Sequence, residues 1–235
     1  MKVAELNIEV EYKAIKNMHL TVYPPDGRIR ISVPKDTKED EVSLLLYSRL
    51  DWLRSKVAEV QTQERQSERE FVSGENHYLF GERYLLQVVP SNIVPPSIKV
   101  GTKVMELFVR PGASISDKQK TMEAFYRNRL RSALNSIVPK WADRLDEDPA
   151  TFDFTIMIMQ KQWGSCITSK RKILFNLLLA RVPLRCIEYI VVHELCHLKV
   201  HQHNKEFTAL LNKVMPDWSA RKKELDEFPA LPFKD

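Results

Sequence analysis

Apolar and polar positions alternate early in the chain. His19-Leu-Thr-Val-Tyr23 and Arg28-Ile-Arg-Ile-Ser-Val33 both run with period two, and Pro24-Pro25-Asp26-Gly27 between them carries turn chemistry. The pattern predicts a β-hairpin. The spacing then changes: Val42, Leu45, Leu46, Leu50, Leu53, Val57 and Val60 recur at helical intervals. They follow Thr37 to Asp40, which resembles a capping box with Asp in place of Glu. The polar stretch Gln61 to Glu70 ends that helix or carries it into solvent.

A second β segment is expected where Tyr78-Leu-Phe80 and Tyr84 to Val89 flank Gly81, with Lys103 to Arg110 a further strand after the prolines at 90, 95 and 96. Pro111-Gly112 marks the expected boundary. It divides the chain into a β-rich amino-terminal region over 1–110, with one long helix, and a second region over 111–235. No internal repeat or low-complexity tract is evident. Beyond the boundary, Ser116 to Gln119 signals a helix start, and Met122, Phe125, Leu130, Ala133, Leu134 and Ile137 supply its buried stripe. Phe152 to Met159 and Ile173 to Leu179 read as strands, and Pro183 opens another helix. The fold class expected is α+β.

That last helix carries the chemistry. Residues 193–197 read His-Glu-Leu-Cys-His. Histidines at i and i+4 project from one helical face, close enough for both imidazoles to reach one ion. Zinc prefers such nitrogen ligands. Glu194 lies to one side of that face, where it can take a proton from a water that zinc has acidified. Cys186 to Leu198 is apolar nearly all round, and burying two histidines and a carboxylate there is costly without partners. A metal partners all three.

His203 is the favoured third ligand, because six residues after His197 let the helix end and the chain fold back. His201 and Glu206 are the competitors; either can instead orient a ligand through a hydrogen bond. Three protein ligands with one open position make a catalytic rather than a structural site. Cys196 reads as a small buried hydrophobe, and Cys166 has no evident base partner. Trp163 walls a substrate cleft or anchors the core, and Tyr189 reads as packing.

Composition changes this picture little. Apolar residues make up 43% of the 235 and charged residues 29%, an ordinary globular balance, with a net charge of +5. Lys118, Lys120, Arg127, Arg129 and Arg131 are expected on a solvated face. Three cysteines without a C-x-x-C pair point to a reducing compartment. Acids replace a signal-peptide core at the start, and no apolar run approaches the ~20 residues of a membrane span. Cytoplasmic localisation is expected.

His193-Glu-Leu-Cys-His-Leu198 with His203 and Phe207 resembles the signature of the YgjP-like family of metal-dependent hydrolases, more distantly similar to the SprT-like and WLM peptidases. Trp163-Gly-Ser-Cys166, Ile173-Leu-Phe-Asn176-Leu, Pro183, Met215-Pro-Asp-Trp218 and the early Gly81-Glu-Arg-Tyr84 agree with it. Asn204 stands where the family has Ser, and Thr208 where it has Trp. Val200 replaces the glycine a metzincin requires. The resemblance implies a zincin-like catalytic region, its His-Glu-x-x-His helix packed against a small sheet. It also implies one Zn2+ per chain and a peptide or protein substrate, with Trp163, Asn176, His201 and Glu206 near the cleft or the ligands.

Two other readings stand beside this one. Lys161, Lys170, Arg171, Lys172 and the basic helix suit a phosphoanhydride substrate such as a nucleoside triphosphate, although no Gly-rich phosphate loop is present. A non-catalytic zinc module that binds nucleic acid or a protein is the third; Glu194 argues against it, since a structural site needs no general base.

Overall fold

The computed structural model describes residues 1–23, 27–62, 70–160 and 162–228. The expected turn residues Pro24 to Asp26, residues 63–69 of the polar stretch, the side chain of Val60, and Lys161 lie outside that description. The protein is α+β, with six α-helices and three small sheets among the described residues. No described helix is long and apolar enough to cross a membrane. The chain forms two compact units, Met1–Gln66 and Ser67–Asp235, so the expected boundary at 110/111 falls inside the second.

In the first unit, β1 (Lys2–Val3), β2 (Leu6–Lys13), β3 (His19–Tyr23) and β4 (Arg28–Pro34) form a sheet in the order β1-β2-β4-β3. The predicted β3–β4 hairpin pairs Tyr23 with Arg28. β2 runs parallel to β4, its Ile8 facing Ile29 and its Glu9 facing Arg30, whose side chains meet at 3.1 Å. Val3, Ile8, Ile29, Ile31 and Val33 point inward against Val42, Leu46 and Leu53. The predicted single helix is two, α1 (Glu39–Ser48) and α2 (Leu50–Thr62), broken at Arg49. The capping box expected at Thr37 to Asp40 does not form; Lys38 is the N-cap and offers no side-chain acceptor.

The second unit repeats the same strand scheme. β5 (Asn76–Leu79), β6 (Glu82–Pro90), β7 (Ser97–Val100) and β8 (Val104–Val109) are ordered β5-β6-β8-β7. In each sheet the first two strands form a hairpin, the second runs parallel to the fourth, and the third antiparallel to it. A helix follows in both, and the residue ending each first hairpin strand region, Ala4 and Phe80, has a positive φ of 50°. Alternation of apolar positions conserves such a scheme without residue identity, which is why the sequence alone shows no repeat.

α3 (Ile115–Arg144) begins two residues before the expected start, where Ser114 and Asp117 form a reciprocal capping box. It continues through Pro139, whose flanks Val138, Trp141 and Ala142 are buried. The buried stripe runs Met122, Tyr126, Leu130, Leu134 and Val138, a four-residue step; Phe125 and Ile137 lie at its margin. A three-stranded sheet follows, ordered β10 (Gly164–Ile167), β11 (Lys172–Asn176), β9 (Asp153–Met157). β10 is antiparallel to β11 and occupies a sheet edge.

A buried 3-10 turn, Leu177–Arg181, leads from β11 to α4 (Leu184–Cys196). The β5–β6 turn is fastened to it: the N–H groups of Phe80 and Gly81 donate to the carbonyls of Ala180 and Arg181, each at 2.9 Å. Gly81 has φ +89°, and a β-carbon there would sit 2.8 Å from Pro183 Cγ. Only glycine permits that approach. The first sheet of this unit thereby holds the start of α4.

Candidate metal centre

α4 is buried almost all round: Cys186, Ile187, Tyr189 to Val192 and Glu194 to Cys196 are all inside. The β-branched run Ile190-Val191-Val192 is a poor helix former, so tertiary burial rather than propensity sustains the helix here. It ends at His197. The chain then reverses, and Asn204 caps α5 (Lys205–Val214), its side chain accepting from the Phe207 N–H at 2.9 Å. That reversal returns His203 to the face of α4.

The Nε2 atoms of the three histidines converge. His203 Nε2 lies 2.9 Å from that of His193 and 3.1 Å from that of His197. Each offers a ligand atom within 4.8 Å of the others, a grouping that can hold a metal ion. His197 Nδ1 lies 3.1 Å from the Val200 carbonyl. A proton donated there leaves the Nε2 lone pair facing the other two rings. Unshielded lone pairs at such distances repel, and a cation among them removes the conflict. Tetrahedral zinc with nitrogens at ~2.0–2.1 Å holds its ligands about 3.3 Å apart, so the donor set fits with a small outward relaxation.

Phe207 packs on all three imidazoles, with ring centroids 5.0, 4.6 and 4.9 Å from those of His193, His197 and His203. Tyr189 meets His193 edge-on at 5.8 Å and stacks on Trp218. Tyr189 thus packs between His193 and Trp218. Of the competitors for third ligand, His201 and Glu206 are exposed and stand outside the convergent group.

Burial sets the charge states. It pulls the His193 pKa down to about 4 and lowers that of His197, so both rings are neutral and their nitrogens free as ligands near pH 7. Glu194 is 5% exposed, and burial pushes its carboxyl up to about 8. Burial likewise raises the Cys166 and Cys196 thiols to about 11 and about 12, so neither is a ready thiolate nucleophile.

Glu194 faces strand β10. A β-carbon at Gly164 would lie 2.6 Å from Glu194 Oε1. Trp163 precedes it, half-buried against the core, its carbonyl accepting from the Asn176 N–H at 2.9 Å. The Asn176 side chain is buried; it donates to the Met159 and Gln162 carbonyls and accepts from the Leu178 N–H. Asn176 therefore fastens the loop that leads into β10. Sequence reasoning singled out neither Gly164 nor Phe207 for a role at the site; both appeared only as letters of a resemblance.

Two cations of the phosphate reading are occupied elsewhere. Arg171 holds Glu147 and Thr151, and Arg127 donates to the Ile156 carbonyl. Lys161 is outside the described residues.

The family described as YgjP-like, metallopeptidase domain, matches residues 16–228. A solved structure, the metallopeptidase zymogen of Pyrococcus abyssi abylysin, is similar over 43% of this chain and 99% of that one, at 17% identity and a TM-score of 0.37. No curated protein matches. The chain belongs to the YgjP-like metallopeptidase family and is a metal-dependent hydrolase.

Proposed function

We propose that this member of the YgjP-like family is a zincin-like peptidase in which His193, His197 and His203 hold one Zn2+ per chain and Glu194 is the general base. The convergence of three Nε2 atoms, two from α4 and its C-cap and one from the reversal that follows, carries this reading. Bound zinc supplies Lewis acidity and brings the pKa of a water to ~7. Glu194 takes the proton of the attacking water and delivers it to the leaving amine. Its buried position favours the first of these transfers, since a carboxylate whose pKa is raised takes up a proton more readily than an ordinary one.

The substrate is a peptide or protein. β10 is the edge strand beside Glu194, and its free backbone groups suit an extended peptide added as a further strand. Every group in this mechanism lies within 111–235, and the β5–β6 turn steadies the helix that bears most of them. The free cysteines Cys166, Cys186 and Cys196 suit a reducing compartment such as the cytoplasm.

The test is metal content by elemental mass spectrometry on protein purified without a histidine tag, beside His193→Ala and His203→Ala. About one zinc per chain is expected, lost or weakened in both variants. A protein that holds no metal and takes up no zinc at neutral pH overturns the reading. Hydrolysis of peptides and nucleoside triphosphates, measured side by side, then separates the peptidase from a phosphohydrolase.

A further inference from the structure

Gly164 has no left-handed backbone conformation and opens the β10 ladder opposite Phe175, so nothing in its own geometry requires glycine. What requires it is Glu194. A β-carbon at 164 would lie 2.6 Å from Oε1, 2.8 Å from Cγ and 2.9 Å from Cδ of that side chain. The carboxylate thus lies flat on the bare backbone of β10. We propose that Gly164 is a positioning residue for the hydrolytic reaction: the absent side chain is the slot that holds the Glu194 carboxylate in place. This rests on Glu194 acting as the base.

Three parts can yield if a methyl group is added: the strand, the helix, or the carboxylate. The strand is held by its register with β11, by the Asn176 N–H on the Trp163 carbonyl, and by the Asn176 side chain on the preceding loop. The helix is buried on nearly every side and carries the histidines. The Glu194 side chain has rotatable bonds, and the atoms that meet the methyl are at its far end. It is the part that moves. The three atoms nearest the added methyl all belong to Glu194, so the base is displaced before the metal-binding set. A misplacement of about 1 Å in a catalytic group costs on the order of 100-fold in rate.

Gly164→Ala should therefore retain zinc at the wild-type stoichiometry and lower kcat by about 100-fold, with KM within about threefold. A second measurement reads the contact without activity. In the metal-free protein, Gly164→Ala should lower Tm when Glu194 is present. In a Glu194→Ala background it should not, because the new methyl then enters the space the carboxylate left. Equal Tm losses in both backgrounds, or wild-type kcat in Gly164→Ala, would overturn the proposal. Zinc content and hydrolysis by the wild type report separately on the proposed function. The Tm cycle decides the slot even if that reading fails.

Discussion

His193 and His203 bring their Nε2 atoms to 2.9 Å although ten residues separate them and only one belongs to a helix. The contact depends on the chain reversing after His197 and on the Asn204 cap that starts α5. Phe207, in the first turn of α5, supplies the apolar floor against which all three rings are set. The three-histidine cluster is therefore as stable as that reversal.

Zinc should tighten it. Ligand that binds only the folded state stabilises by about 2.7 kcal/mol at a hundredfold excess over Kd, or about 5–10 °C in Tm for a domain of this size. Differential scanning fluorimetry of chelator-treated protein, with and without added zinc, should show such a rise. His203→Ala should remove most of it.

Glu194→Gln should leave zinc content unchanged and lower kcat by about 10²- to 10⁴-fold, the usual contribution of a general base. Elemental analysis and peptide hydrolysis on the same preparation check both halves. Unchanged hydrolysis would remove Glu194 from the mechanism.

The metal-free protein should lose stability as pH rises from 6.5 to 8. Glu194 has a folded pKa of about 8 against an ordinary 4.5, so across that interval the unfolded chain releases a proton that the folded one keeps. Its contribution is complete below pH 4.5 and lost as pH rises through 8. His193, lowered from 6.5 to about 4, works the opposite way: its contribution is complete above 6.5 and lost as pH falls toward 4. The two oppose each other between 4.5 and 6.5. Above that, Glu194 dominates, with at most about 2 kcal/mol over the 1.5-unit window. Urea unfolding of chelated wild type and Glu194→Gln at pH 6.5 and 8 should show the slope in the first and not the second.

Asn176→Ala strips partners from the Met159 and Gln162 carbonyls and from the Leu178 N–H. A loss of about 2 kcal/mol is expected, or about 4–8 °C in Tm, with zinc binding retained. A variant as stable as wild type would show that water replaces the amide without cost.

Much of the site was legible in the residues. His193 and His197 are brought to one helical face by spacing alone, with Glu194 to one side of it, and the surrounding apolar run marks the helix as buried. The β3–β4 hairpin was legible from alternation and a turn, as was Pro183 at the head of α4. Less was visible where partners are distant. β10 reads Gly-Ser-Cys-Ile, too short and too mixed to signal a strand, and β2 was obscured by glutamates that face arginines on β4. The helix expected across Val42 to Val57 is interrupted at Arg49, because apolar spacing persists through a break that leaves both halves facing one core.

The sequence by itself determined which side chains seek the interior, where the helix that bears His193 and His197 lies, and what chemistry His-Glu-x-x-His can perform. The tertiary structure alone decided what those side chains meet. It set His203 rather than His201 or Glu206 among the converging nitrogens, tied Asn176 to the loop before β10, and laid Gly164 against Glu194 from 30 residues earlier in the chain. Periodicity records which way a residue faces, since that is a property of one element. Its neighbour across the core depends on how several elements pack together, and no local pattern carries that information.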